Sequence, residues 1–433
     1  MTDQAILSPC VIPRGFKEAV LKNIRPEMSI SDIFADFPET KELFMMNGLG
    51  VFASNASFLK TLTLDSFMKM RELNPEIFLP LLEKRIEACE APMLYTEDAP
   101  PVKPDFLGYM VCPVKHLFKE SYEEAMLKHL EKTGEKFVSF VPMGCGGADP
   151  YEDIWQSHNI DELPDIVGSI GFGSFYRSQF TSRFLDGGYY ESCQMKPMPE
   201  PFASAGIEDP LGVYTVYAVY TYVILVDYKK LKDLPVPRRW SDLLRPEYKN
   251  NIIVGGSDDY ISEVLLVNIW KDYGQEGLDR LLPNIRDGWH ASQMAKAAGS
   301  SMSNGAAIYV LPWFFAKSCP NTEHTEIIWP EDGAMASPMY MLVKKSEKER
   351  LKPVIDYMTG KELASIMSSS FFPSVHPEAE NSLPEGAKIK WLGWDFIRER
   401  DMKAFSDDLN DRFMEKLRQR KKEQGKKLHV VIR

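Results

Sequence analysis

Positive charge is in deficit in this chain. Its 433 residues hold 51 Lys and Arg against 62 Asp and Glu, a formal charge of -11. That balance argues against nucleic acid as the main partner. Long hydrophobic runs are missing, and no apolar stretch reaches the ~18 residues a membrane span needs. Cysteine is sparse and scattered: Cys10, Cys89, Cys112, Cys145, Cys193 and Cys319, with no C-x-x-C spacing. This suits free thiols in a reducing compartment. An export signal is not legible either. The start carries early acids and only a broken apolar patch over 5–12, interrupted by Pro9. Leu7-Ser-Pro-Cys10 lacks the basic start, the apolar segment of about 7–15 residues and the small residue before Cys that a secretory lipoprotein would show. These absences predict a cytoplasmic protein without a membrane span. No internal repeat and no low-complexity tract occurs.

What is present is an apolar content of 44% with 26% charged residues, enough for an ample core and two or three domains. The chain is organised around Asp209 to Gly256. Gly212 to Val226 is almost all β-branched, aromatic or small apolar, with no charge before Asp227. That composition predicts a strand covered on both faces. A polar segment broken by Pro235 and Pro237 follows, then a second apolar strand at Ile252 to Val254.

In chain order, 1–27 reads as a weakly ordered arm and 28–91 as a small helical domain. Ser29 or Ser31 can cap its first helix, which carries Ile33, Phe34 and Phe37. Pro38 suits the first turn of a second helix, and Thr63 can cap a third. A fourth starts at Asn74-Pro75 and runs to about Glu90. A proline-rich linker spans 92–104. Strands are then expected at Phe106 to Cys112, Phe137 to Val141 and Pro164 to Ile170. Pro113 to Phe118 reads as a loop and Glu120 to Thr133 as a helix. Strands alternating with helices predict an α/β fold with a mostly parallel sheet. The segment 412–433 holds nine Lys and Arg against two Glu. It reads as a solvated helix with a frayed end, with an anion- or RNA-binding tail as the alternative.

Asp227, Pro237, Trp240, Asp242, Leu243, Pro246, Tyr248 and Lys249, in that order after a long apolar strand, form a pattern that continues downstream. Trp329-Pro-Glu-Asp-Gly333, the helical stretch Pro353 to Met367 and the turn Phe372-Pro-Ser374 complete it. Over roughly Asp105 to Glu378 the chain resembles ABC-transporter-type solute-binding proteins. The resemblance is to the periplasmic-binding-protein type II cluster that serves iron(III), spermidine/putrescine and phosphorylated or phosphonate solutes. It implies two α/β lobes, about 105–212 with 330–387 and about 213–329, that close by hinge motion on a small ligand. An N-terminal all-α domain and a C-terminal helical extension (388–433, with a basic tail) flank them. The residues Met28-Ser-Ile-Ser-Asp-Ile-Phe34, Phe37-Pro-Glu-Thr40 and Asn47-Gly-Leu49 resemble the redox-disulfide domain associated with hybrid-cluster proteins. The cysteine pair expected after that turn is absent from Gly50 to Ser57, so the domain is expected to dock another protein.

Ligands of open α/β lobes meet the loops at the carboxyl ends of strands. Four such loops carry candidates. Lys115 and His116 could meet an anion. Gly171 and Gly173 permit close backbone approach, and Ser174 can donate a hydrogen bond; the resemblance places the ligand at this loop. Ser257, Asp258 and Asp259, with Glu263 beyond, resemble the acidic segment of polyamine binders, yet Asp at a helix start is also a plain cap. Trp313 could stack on a ligand or plug the core. Among the tyrosines of the long strand, Tyr217 is carried as a candidate beside Tyr214 and Tyr220. The ligand is expected to be anionic, zwitterionic or polyamine-like. No catalytic residue, metal or cofactor is expected. Two alternatives stay open: a metal or iron–sulfur site from Cys112, His116 and Cys145, and a nucleophilic Cys145 with His116 as base.

Overall fold

The computed structural model describes residues 24–47, 56–71, 103–142, 149–257 and 259–431, with single positions between 49 and 86. Cys145 and Asp258 lie outside them, as does most of the expected fourth helix. The chain divides into two compact units, Met1–Val102 with Met143–Asp149 and Lys103–Pro142 with Pro150–Arg433.

In the first unit, helix α1 (Ile30–Asp36) is capped by Ser29, whose hydroxyl accepts the Asp32 N–H at 3.0 Å. A 3-10 turn opened by Pro38 leads into α2 (Lys41–Met46). After α3 (Ala56–Thr61), Thr63 caps α4 (Leu64–Met70). Their shared core is Ile30, Ile33, Phe44, Leu64 and Phe67, with Phe78 and Leu82 packed on it. The edge-on Phe44–Phe78 pair, 5.6 Å between centroids, adds directional contact to plain burial. Part of the expected arm also belongs to this unit: Ile24 is buried and the Pro26 carbonyl accepts the Asp65 N–H.

The second unit is built on a ten-stranded sheet. In chain order the strands are β1 (Phe106–Gly108), β2 (Ser139–Phe140), β3 (Ile166–Ile170), β4 (Thr215–Asp227), β5 (Ile252–Gly255), β6 (Ile285–Trp289), β7 (Ile308–Pro312), β8 (Thr325–Ile328), β9 (Ala334–Val343) and β10 (Ile389–Lys390). Their pairing repeats one pattern twice. In the first half β1 pairs in parallel with β2 and β3, β3 runs antiparallel to β9, and β9 antiparallel to the start of β4. In the second half β5 pairs in parallel with β6 and β7, β7 runs antiparallel to the end of β4, and β4 antiparallel to β8. The ladder is continuous only because β4 and β9 run from one half into the other. This is the two-lobed periplasmic-binding-protein fold, with β4 and β9 as crossings.

The proline-punctuated segment after β4 closes the second lobe through directed hydrogen bonds. Asp227 ends β4 fully buried and accepts from the N–H groups of Lys229 and Gly299 and from the Lys230 ammonium. The Asp242 carboxylate accepts the N–H groups of Arg238 and Arg239. The buried Trp240 indole donates to the Gly333 carbonyl at 2.8 Å, and the Tyr248 hydroxyl donates to the Pro235 carbonyl at 2.7 Å. Gly333 has φ +96°, and a Cβ there would sit 2.8 Å from the Lys390 nitrogen, so only glycine fits.

Around Pro113 two boundaries differ from expectation. β1 ends at Gly108, and α5 (Lys115–Thr133) begins five residues before Glu120, because Pro113 and the Val111–Val114 turn start the helix early. The C-terminal segment is not merely solvated. Helix α12 (Met402–Val431) buries Leu409, Phe413, Met414 and Leu417 in the main core. It packs on α6 (Glu263–Leu281).

Candidate functional site

Parallel pairing of β1 with β3 brings two loops to one edge of the first lobe: the start of α5 and residues Gly171 to Ser174. In the second lobe the parallel set β5–β6–β7 brings Ser257 and Trp313 to the corresponding edge. The candidates therefore fall on strand ends of both lobes.

Lys115 is the first residue of α5 and only 8% exposed. Among the described residues its ammonium has no hydrogen bond or ion pair. A lysine this buried normally has a partner. His116 is half-buried and Cys112 exposed, and both make contacts of their own.

Gly171 has φ +68°, which favours glycine, whereas Gly173 has an ordinary φ of -77° and opens the 3-10 turn Ser174–Tyr176. Against Gly171 lies Glu263, the first residue of α6 in the other lobe. A Cβ on Gly171 would come within 3.1 Å of Glu263 Oε1 and 3.5 Å of Ser337 Oγ. Burial pushes the Glu263 carboxyl above its ordinary pKa; Lys403 pulls it back, Asp407 adds to the rise, and the facing Phe172 N–H lowers it. Burial likewise pushes the neighbouring Tyr222 hydroxyl up to about 12, with Ser262 opposing. The Tyr260 hydroxyl accepts the Glu263 N–H at 3.1 Å. The two lobes are thus in contact at this seam.

The other candidates are spread out. The Ser257 hydroxyl donates to Asp259 Oδ1 at 2.7 Å within an exposed turn. Trp313 is buried and meets Trp329 and Phe371 edge-on at 5.1 and 5.2 Å, so it plugs the second lobe. Tyr217 is buried with its hydroxyl 3.8 Å from the Met110 sulfur. It lines a first-lobe cavity of about 10 Å³, room for no more than a water. Tyr214 is stacked between Tyr176 and Trp394. Tyr220 is the partly exposed member: it stacks on Phe372, meets Tyr222 edge-on and pairs with Ser337 across the sheet. Sequence reasoning passed over Tyr222, Ser262 and Ser337. The signal for Tyr222 was its position two residues from Tyr220 on the same strand face.

Among the described residues no three His, Cys, Asp or Glu side chains gather as a metal set. Among them, too, no helix is long and apolar enough to cross a membrane.

The sequence pattern of the family described as bacterial extracellular solute-binding protein matches residues 161–400, more than half of the chain. The chain belongs to the bacterial extracellular solute-binding protein family. That membership overturns the cytoplasmic expectation, since the family is an extracellular one. The absence of a legible export signal was the wrong guide to location.

Solved structures agree on the fold of this solute-binding protein. Apo ferric ion-binding protein A of Pasteurella haemolytica is 15% identical, with a TM-score of 0.50 over 72% of this chain and 98% of that one. A ferric binding protein from Campylobacter jejuni is 14% identical, with a TM-score of 0.51 over 71% and 98%. An ABC transporter protein from Clostridium perfringens is 16% identical, with a TM-score of 0.50 over 71% and 99%. No curated protein matches the chain. The family match begins at residue 161 and leaves the redox-disulfide likeness of the helical unit without support.

Proposed function

We propose that this solute-binding protein holds a small oxyanion-bearing solute, such as a phosphorylated or carboxylated molecule, between its lobes and does not transform it. The observation that carries the reading is Lys115: a residue only 8% exposed that opens a helix, its ammonium unpaired among the described residues. An anion there would meet a charge and helix N–H groups together. The adjoining Gly171–Ser174 loop lets a ligand approach the backbone closely. The rival cationic reading has less behind it. Asp259 is satisfied by Ser257, and Glu263 lies against Gly171 with its ionisation disfavoured.

The test is titration calorimetry with three sets of probes: alkylphosphonates, sugar phosphates and the polyamines spermidine and putrescine. One-to-one binding within either anionic set, weakened more than tenfold by Lys115→Met, supports the reading. Binding confined to the polyamines, or to none of the three, overturns it.

A further inference from the structure

Residues 389–421 grip both lobes. On the first lobe, the Trp394 indole donates to the Ile207 carbonyl at 3.1 Å and its ring lies on Tyr214. Arg398 pairs with the buried Asp209. Helix α12 then starts on the same lobe: the Asp401 carboxylate accepts the Ser178 N–H at 2.9 Å, and Asp407 pairs with Arg177 at 3.4 Å. From Leu409 onward the contacts belong to the second lobe. Asn410 Oδ1 accepts the buried Ile261 N–H at 2.9 Å, Lys416 pairs with Asp279 at 2.7 Å, and Arg420 donates to the Leu282 and Ile285 carbonyls. Trp270 of the second lobe holds Phe396 and Phe405 at 6.2 and 4.9 Å.

A rigid helix pinned to two bodies opposes any change in the angle between them. We propose that α12 is an intramolecular clamp: it holds the lobes together without a guest, and its first turns must leave the first lobe for the cleft to open. The inference rests on the reading that the lobes move about β4 and β9. The two grips are unequal. Four large apolar side chains and a buried amide bond fix α12 to the second lobe. Its charged contacts to the first lobe are partly exposed, with Asp407 at 45% and shared between Arg177 and Lys403 of the same helix. Such pairs contribute little and are screened by salt. The release point is therefore the stretch from Asp401 to Asp407, and α12 rides with the second lobe.

The experiment measures the distance between dyes attached through unnatural amino acids at the exposed Leu127 and Met302, in the full chain without solute. Wild type is expected to give one narrow distance. The double variant Asp401→Ala/Asp407→Ala is expected to add a longer-distance population, raising the open fraction roughly tenfold. Arg177→Asp alone should open the protein similarly, and the swap Arg177→Asp/Asp407→Arg should close it again, an outcome that misfolding would not produce. A wild type already divided between two distances, or variants identical to wild type, overturns the clamp. If the variants match wild type yet added sugar phosphate changes the distance, the clamp alone fails. If nothing changes the distance, the hinge fails with it.

Discussion

Glu263 of the second lobe rests against Gly171 of the first, so close that a methyl group on Gly171 would stand 3.1 Å from Glu263 Oε1. The contact needs two properties of one residue: no side chain, and φ +68°. Gly171→Ala is therefore expected to cost about 1–2 kcal/mol of stability, through backbone strain plus the displaced carboxylate. Gly173→Ala, at an ordinary φ with only the Ile170 carbonyl near at 3.8 Å, should change little. Urea unfolding of the two variants side by side checks the contrast.

The same glutamate sets a pH dependence. Burial holds its folded carboxyl above the ordinary value of 4.5. Between the unfolded and folded pKa values the native state binds more protons than the unfolded one. Its contribution to stability is therefore present at low pH and falls as pH rises from about 4.5 through the raised value, levelling off above it. Glu263→Gln should flatten that part of the curve and leave the neutral-pH protein more stable than wild type. Denaturation midpoints across pH 4 to 8 give the slope; a wild-type curve rising over this window relative to the variant contradicts the assignment.

Asp209, just before β4, is expected to be among the costliest single acids to remove. Its buried carboxylate accepts the N–H groups of Leu211, Val213 and Tyr214 and pairs with Arg398. Asp209→Ala leaves three backbone donors and a guanidinium without their acceptor, a loss of about 3 kcal/mol. Arg398→Ala should lose less, since that side chain is 29% exposed. Thermal unfolding of the two variants tests the order.

Lys115→Met is expected to move stability and binding in opposite directions. Replacing a cation that no protein group pairs with, on a largely buried side chain, by an apolar one of similar length should raise unliganded stability slightly, by less than about 1 kcal/mol. The same change removes the charge that would meet an anion. A variant that loses stability along with affinity would show Lys115 to be a structural residue instead.

Much of the fold was legible because it is written in local chemistry. The unbroken run before Asp227 could only be a strand covered on both faces, and it is β4. The tryptophan, aspartate and tyrosine that follow each make a directed hydrogen bond that the second lobe needs. Which tyrosines face the seam was not legible. A bulge between Val216 and Ala218 shifts the alternation, so Tyr214 and Tyr217 turn into packing while Tyr220 stays partly open. Trp313 left its two readings open in sequence, since stacking on a ligand and filling a core ask for the same ring. Residues 412–433 read as solvated because their charged and polar residues outnumber Phe413, Met414 and Leu417, which the helix buries. Location depended on family membership, which composition does not carry.

Native mass spectrometry of the protein taken from its own source tests the central claim most directly. The account predicts a noncovalent complex with one small phosphorylated or carboxylated molecule, absent from the Lys115→Met variant prepared in the same way. A co-purifying polyamine or bare metal ion would contradict it, as would a protein that stays guest-free after incubation with an extract of its own cells.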